Sequence, residues 1–112
     1  MGAVVQQESG GRPGVSSSAG AQGIAQVMPA TGQAMARKLG LPWRPDLMTG
    51  TNETAAQYQR ALGEAYLQEA MEANPGNLRD ALRYYHGGPN RRMWGPKTNS
   101  YADSVISRLG GQ

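Results

Sequence analysis

Residues 8–31 read ESGGRPGVSSSAGAQGIAQVMPAT. Glycine and serine crowd the part from Gly10 to Gly23, but Val15, Ala19 and Ala21 interrupt it and Ile24 follows at once, so the stretch reads as a structured loop and not a tether. On its N-terminal side, Met1 to Ser9 suits a short helix stopped by Gly10-Gly11, with Pro13 blocking continuation. Within and after it, Gly23 to Met28 reads as a short helical turn closed by Pro29. Thr31 then caps a helix through Leu39, ended by Gly40. Leu41 to Gly50, with Pro42 and Pro45, reads as a loop.

Further out, Thr51 or Asn52 caps the longest helix, which stops at about Ala73 before Asn74-Pro75-Gly76. Leu62, Tyr66 and Ala70 recur at helical spacing there, with Ala55, Tyr58 and Met71 near the same side. Asn77 caps a helix from Leu78 to Tyr85, and Gly87-Gly88-Pro89 ends it. Thr98 or Asn99 opens a last helix with Tyr101, Val105 and Leu109 on one stripe, ended by Gly110-Gly111. The expectation is a mainly α fold of five or six helices with little or no β-sheet.

Composition agrees. The 112 residues suffice for one domain. Leu, Ile, Val and Phe are scarce; Ala, Met, Tyr and Trp supply the apolar mass, a set that favours helices over strands. No apolar run approaches the ~18–20 residues of a membrane span. The absence of Cys excludes a disulfide scaffold, a thiol nucleophile and a Cys-based zinc site, and a single His argues against a protein-built metal centre. A net charge of +3 and a pI near 9.6 suit an anionic polymer, but no basic run marks a nucleic-acid arm. No internal repeat or linker is visible.

Eight carboxylates are present. Seven sit where carboxylates are expected: Glu53 in a first helical turn, Glu64, Glu69, Glu72 and Asp103 on helix faces, Asp46 in a Pro-bearing loop and Asp80 near a helix start. Glu8 differs, because it ends a short apolar stretch just before Ser9-Gly10-Gly11. Held at a cleft edge against apolar side chains, its carboxyl would be pushed towards neutrality and could act as a general acid.

A wider pattern surrounds it. Glu8-Ser9, Pro13, Val15, Ser17, Gly20-Ala21, Gly23, Gln26 and Met28-Pro29-Ala30-Thr31 resemble, in register, the signature of the soluble lytic transglycosylases. Gly63, Tyr66 and Leu67 resemble that family's second block, and Ala81 to Gly88 (ALRYYHGG) its third. The resemblance runs from Glu8 to about Leu109. It implies a lysozyme-like helical fold, read here as a single domain over residues 1–112, either a compact variant or a piece of a larger protein, since few residues precede Glu8. It also implies cleavage of the β-1,4 bond between N-acetylmuramic acid and N-acetylglucosamine, with a 1,6-anhydromuramyl product and Glu8 as the sole acid and base. The substrate's N-acetyl group would steady the positive intermediate.

The same resemblance assigns roles by position. Ser17 would hydrogen-bond near Glu8 and the acetamido group, Gln26 would contact the sugar, and Met28 would line the cleft. Tyr66 and Tyr85 would stand at the site, with Tyr85 facing Glu8. Gly20 and Gly23 would let backbone pass close to the glycan. Each also has a plainer reading: Ser17 as a loop serine, Gln26 and Met28 as helix surface and core, the tyrosines as core residues with exposed hydroxyls. Trp43 and Trp94 read as packing, and Arg83, Arg91, Arg92 and Lys97 as solvated surface. His86 stands where the family has Asn, and Gly11 where an aromatic is frequent; a structural role at a helix C-terminus is preferred for His86.

The ending from Tyr85 through Trp94-Gly95-Pro96-Lys97-Thr98 to Tyr101 looks more like domains of phage virion proteins than bacterial housekeeping enzymes. The partner implied is peptidoglycan in the periplasm or cell wall, with action from a virion included. Neither cofactor, metal, nucleic acid nor membrane span is expected, and the chain is expected to be monomeric. Two competing readings stand beside this one. A hydrolysing muramidase would need a second carboxylate, for which Asp46 is the least committed. A non-catalytic wall-binding module would tolerate loss of Glu8, which is present.

Overall fold

The structure, a computed structural model, describes residues 1–110 and is mainly helical. Among the described residues are six α-helices: α1 (Gly2–Ser9), α2 (Pro29–Leu39), α3 (Pro45–Met48), α4 (Glu53–Ala73), α5 (Leu78–Gly87) and α6 (Pro96–Gly110). A 3-10 turn covers Arg91–Met93. No β-strand forms among them; Ser16 bridges Gln22, and Gln22 bridges Val27, as isolated antiparallel pairs. The helical class expected from sequence is the one adopted. Gly111, expected to help end the last helix, lies outside the described residues.

The chain divides into two compact units, Met1–Tyr66 and the remainder from Leu67, with α4 running through the division. In the first, Val5 of α1, Ile24, Ala25 and Val27 of the loop, Met35 and Ala36 of α2, Met48 of α3 and Leu62 of α4 form one buried cluster. A side chain such as Leu62, with none of its surface exposed, contributes about 1.5–3 kcal/mol by burial. Tyr58 of α4 adds a polar tie: its hydroxyl donates to Pro42 O at 2.7 Å and accepts from Arg44 N at 2.9 Å. In the second unit α5 packs on α6. Ala81, Leu82 and Tyr85 are buried on one helix, and Tyr101, Ala102 and Val105 on the other.

The helix ends show which side chains hold them. Gly10 and Gly40 take left-handed conformations after α1 and α2, as expected of C-terminal glycines. Asn52, not Thr51, caps α4: its Oδ1 accepts from Ala55 N at 2.8 Å. Asn77 caps α5 in the same way, accepting from Asp80 N at 3.0 Å.

Proline was misread three times. Pro29 opens α2 instead of closing a helical turn, which puts Thr31 inside the helix and not at its cap. Pro45 opens the short α3 within the stretch expected to be loop. Pro96 opens α6 two residues before Thr98. The physical reason is shared: a first-turn residue needs no amide hydrogen, and the proline φ suits a helix start. Residues 23–28 form turns and a bridge instead of helix, because Gln22 and Val27 exchange backbone hydrogen bonds at 3.0 Å in each direction. Helix α5 runs two residues past Tyr85. Met71 and Leu109, placed on core stripes from their spacing, are 44% and 51% exposed.

Because the Asn52 side chain satisfies an otherwise orphaned amide, Asn52→Ala should destabilise the protein by about 1 kcal/mol. Thr51→Ala should stay within about 0.5 kcal/mol of the parent. Equilibrium urea unfolding of the two variants reads the difference.

Candidate active site

Glu8 occupies the last turn of α1, half-buried, one turn after the buried Val4 and Val5 and beside the buried Ser9. Ser9 fixes this helix end. Its hydroxyl lies 2.7 Å from Ile24 O and 3.2 Å from Val5 O, and with one proton to give it favours the nearer carbonyl. The same oxygen accepts from Gly11 N at 3.2 Å. The residue next to Glu8 is thereby bonded to the far end of the loop that follows it.

That loop, residues 10–28, is ordered by hydrogen bonds among its own residues. Ser17 N donates to Ala21 O at 2.9 Å, Gly20 N to Ser17 O at 3.0 Å and Gly23 N to Val15 O at 2.7 Å. Ser17 is exposed and its Oγ accepts from Ala21 N at 3.0 Å, which closes a tight turn and leaves the hydroxyl proton to give. Gln26 has a φ of +52°, a left-handed conformation that costs a non-glycine residue roughly 1–2 kcal/mol. Its Nε2 offsets this by donating to Val15 O at 2.8 Å and Gly23 O at 2.9 Å. Met28 is 45% exposed, and its Cε would lie 3.6 Å from a Cβ placed on Gly20.

Under the loop lies Gln59 of α4, 1% exposed. Its Oε1 accepts from Gly14 N at 3.1 Å and Ile24 N at 2.9 Å. Its Nε2 donates to Leu47 O at 2.8 Å and Gly50 O at 2.9 Å. Sequence reading passed over this residue. The available signal was its place four residues after Ala55 and three before Leu62, a polar side chain at the centre of an apolar stripe. Gly23 faces this amide and not open space: a Cβ there would stand 2.8–2.9 Å from Gln59 Cγ, Cδ and Oε1. The missing Cβ of Gly23 thus leaves room for Gln59.

Ser17, Gln26 and Met28 are thus brought onto one loop, whose bond to Ser9 ties it to the helix of Glu8. Tyr66 of α4 is half-buried and packs against the same core cluster. Tyr85 is buried on α5 in the second unit.

Asp46, Asp80, Asp103, Glu64 and Glu69 have charged or polar partners. The Arg44 guanidinium holds both oxygens of Asp46, at 3.0 and 2.7 Å, and keeps this carboxyl below its ordinary range. Asp80 pairs with Arg83 and Arg91, Asp103 with Arg79, Glu64 with Arg60, and Glu69 accepts from Tyr84. Among the described residues no cluster of three His, Asp or Glu side chains could hold a metal ion. Trp43 packs into the first unit's core against Gly32, and Trp94 donates from Nε1 to Gly88 O at 2.9 Å. The Arg91 guanidinium lies 4.8 Å from the Trp94 ring centre and also donates to Asn74 Oδ1 at 2.8 Å. Arg83, with 21% of its side chain exposed, is therefore part of a folded cluster and not the solvated surface expected, whereas Arg91 stays 62% exposed, as expected, while making these contacts. His86 stacks on Tyr101 with ring centres 4.4 Å apart.

Residues 1–106 match the transglycosylase SLT domain family. The chain belongs to that family. Over 106 residues it is 38% identical to a protein named "Transglycosylase" from Enterobacteria phage PRD1. The match takes in 95% of this chain and 35% of the phage protein, so the chain spans about a third of that relative's length. As the sequence motifs implied, this SLT domain is of the phage type.

Two outcomes follow from the site's geometry. Gly23 has a φ of +83° and its missing Cβ makes way for Gln59, so Gly23→Ala should cost about 2–4 kcal/mol, measured by urea unfolding. Partial burial lowers the pKa of His86 below 6.5, so the fold favours the neutral ring. Its contribution should be complete above pH 6.5 and be lost as pH falls through the lower folded value. An NMR titration of the imidazole, with unfolding at pH 7 and pH 5 for the parent and His86→Gln, checks this.

Proposed function

We propose that this domain is a peptidoglycan lytic transglycosylase that cleaves between N-acetylmuramic acid and N-acetylglucosamine and leaves a 1,6-anhydromuramyl end. The observation that carries the reading is Glu8 at the bonded junction of α1 with the loop of Ser17, Gln26 and Met28, in a chain whose family membership runs through all of them. A left-handed Gln26 held by two hydrogen bonds is the kind of local strain that gathers at binding sites.

Glu8 acts twice. As the acid it gives its proton to the glycosidic oxygen as the C1–O bond breaks. As the carboxylate left behind it takes the proton of the muramic acid 6-hydroxyl, whose oxygen bonds to C1. Glu8 ends the cycle protonated, and no water is consumed. A glycosidase that uses water needs a second carboxylate to activate it or to attack C1. Asp46 suits that task poorly, because Arg44 holds it as a weak base. Ser17 gives its hydroxyl proton to the acetamido group, Gln26 offers its side-chain oxygen to the sugar while its nitrogen holds the loop, and Met28 offers an apolar wall. Tyr66 and Tyr85 join them on the strength of the family motifs. The domain works on the cell wall as a monomer, in the setting of a phage particle entering its host.

Purified sacculi digested with the parent should release anhydro-ended muropeptides by mass spectrometry. Glu8→Gln should lose at least about a hundredfold in rate, and Asp46→Asn should stay within about twofold of the parent. Reducing ends instead of anhydro ends would turn the reading to a hydrolase. Binding without release of fragments would turn it to a wall-binding module.

A further inference from the structure

Building on the reading above, we infer that Gln59 is a positioning residue, one that holds the glycan-facing loop and the end of α1 in working register against α4. Its four hydrogen bonds all leave its own helix. Two go to the loop at Gly14 and Ile24, one to Leu47 in α3 and one to Gly50 in the α3–α4 connection. The two loops touch where it reaches them: a Cβ on Gly14 would meet the carbonyl oxygens of Thr49 and Gly50 at 2.8 Å. The two bonds to the loop lead through neighbouring residues to the site. Gly14 precedes Val15, whose carbonyl takes the amide of Gln26. Ile24 is gripped at both ends, its N–H by Gln59 and its carbonyl by Ser9, the neighbour of Glu8.

Packing alone does not call for this side chain. A buried carboxamide is unfavourable unless bonded, and an apolar residue of the same length would fill the space but leave the four backbone groups without this partner. What the amide adds is direction: one oxygen and one nitrogen fix two loops at once.

The test compares Gln59→Met, Gln59→Glu and, as a surface control on the same helix, Arg60→Ala. Folding is checked by circular dichroism, and rates of sacculus digestion are taken per folded molecule. Gln59→Met should speed amide exchange at Gly14 and Ile24 at least about tenfold relative to the α4 interior. It should also lower the digestion rate by ten- to a hundredfold, the scale on which small misplacements act. Gln59→Glu keeps the accepting oxygen, but its ionised form faces the carbonyls of Leu47 and Gly50, and only its protonated form can donate to one of them. Its rate relative to the parent should therefore rise as pH is lowered, while the same ratio for Gln59→Met stays flat.

Unchanged exchange at Gly14 and Ile24, or a Gln59→Met rate within twofold of the parent, overturns the proposal. Should Gln59→Met not fold, a flat pH ratio for Gln59→Glu overturns it alone. If the parent and Arg60→Ala give no anhydro ends, the transglycosylase reading fails by itself. Retention on sacculi then replaces the rate, and Gln59 is judged on that and on the exchange.

Discussion

The carboxamide of Gln59 is the joint on which the first unit depends. Sealed under the loop, it accepts two hydrogen bonds through one oxygen and donates two through one nitrogen. Leaving any one of these buried groups unpaired costs about 1–3 kcal/mol, so the four bonds favour being made together. Nearby choices follow from it. Gly23 must lack a Cβ because the amide fills that space, and Gly14 must lie flat on the backbone of Thr49 and Gly50. Ile24 is then offered to Ser9 in one orientation.

Helix identity was legible because it is written locally. Asn77 announces itself as a cap by residue type and by the apolar spacing that follows, Asn52 only alongside Thr51, and Gly10 and Gly40 announce themselves as stops. Proline was less legible, since the same residue forbids a helix on one side and starts one on the other. At Pro29, Pro45 and Pro96 the side that won was the one where the missing N–H had no partner to lose. Gln59 was hidden for another reason. A glutamine on a helix reads as solvated surface, and only the carbonyls and amides of residues far away in the chain make it a core residue.

The site was legible as a pattern more than as single residues. Ser17, Gln26 and Met28 each have a plain structural reading, and the fold supports part of it. Ser17 does close a turn, and Gln26 does brace its own loop. The two readings are compatible, because a side chain can use one group for the fold and keep another for a ligand: Ser17 accepts from Ala21 and retains its hydroxyl proton. The left-handed backbone of Gln26 could not be foreseen, because glycine and not glutamine is the residue that advertises such a turn. Of the arginines in the second unit only Arg83 departs from the solvated surface expected, because its partners Asp80 and Trp94 are unremarkable alone or distant in sequence.

On the proposed chemistry, one carboxylate must serve two reaction steps without moving far. The acceptor hydroxyl belongs to the sugar being cut, so the sugar's pose decides whether the second proton transfer can occur. Precision that a two-carboxylate enzyme divides between side chains then falls on the surface holding the glycan. On the same proposal that surface is a glycine-rich loop, which would be mobile if left to its composition. Its backbone is instead bonded across itself at residues 15–27, to α1 through Ser9 and to α4 through Gln59. A segment rich in glycine can follow a sugar closely because it has few side chains to intrude, and it can stay in place because residues outside it supply the bonds that its own side chains lack.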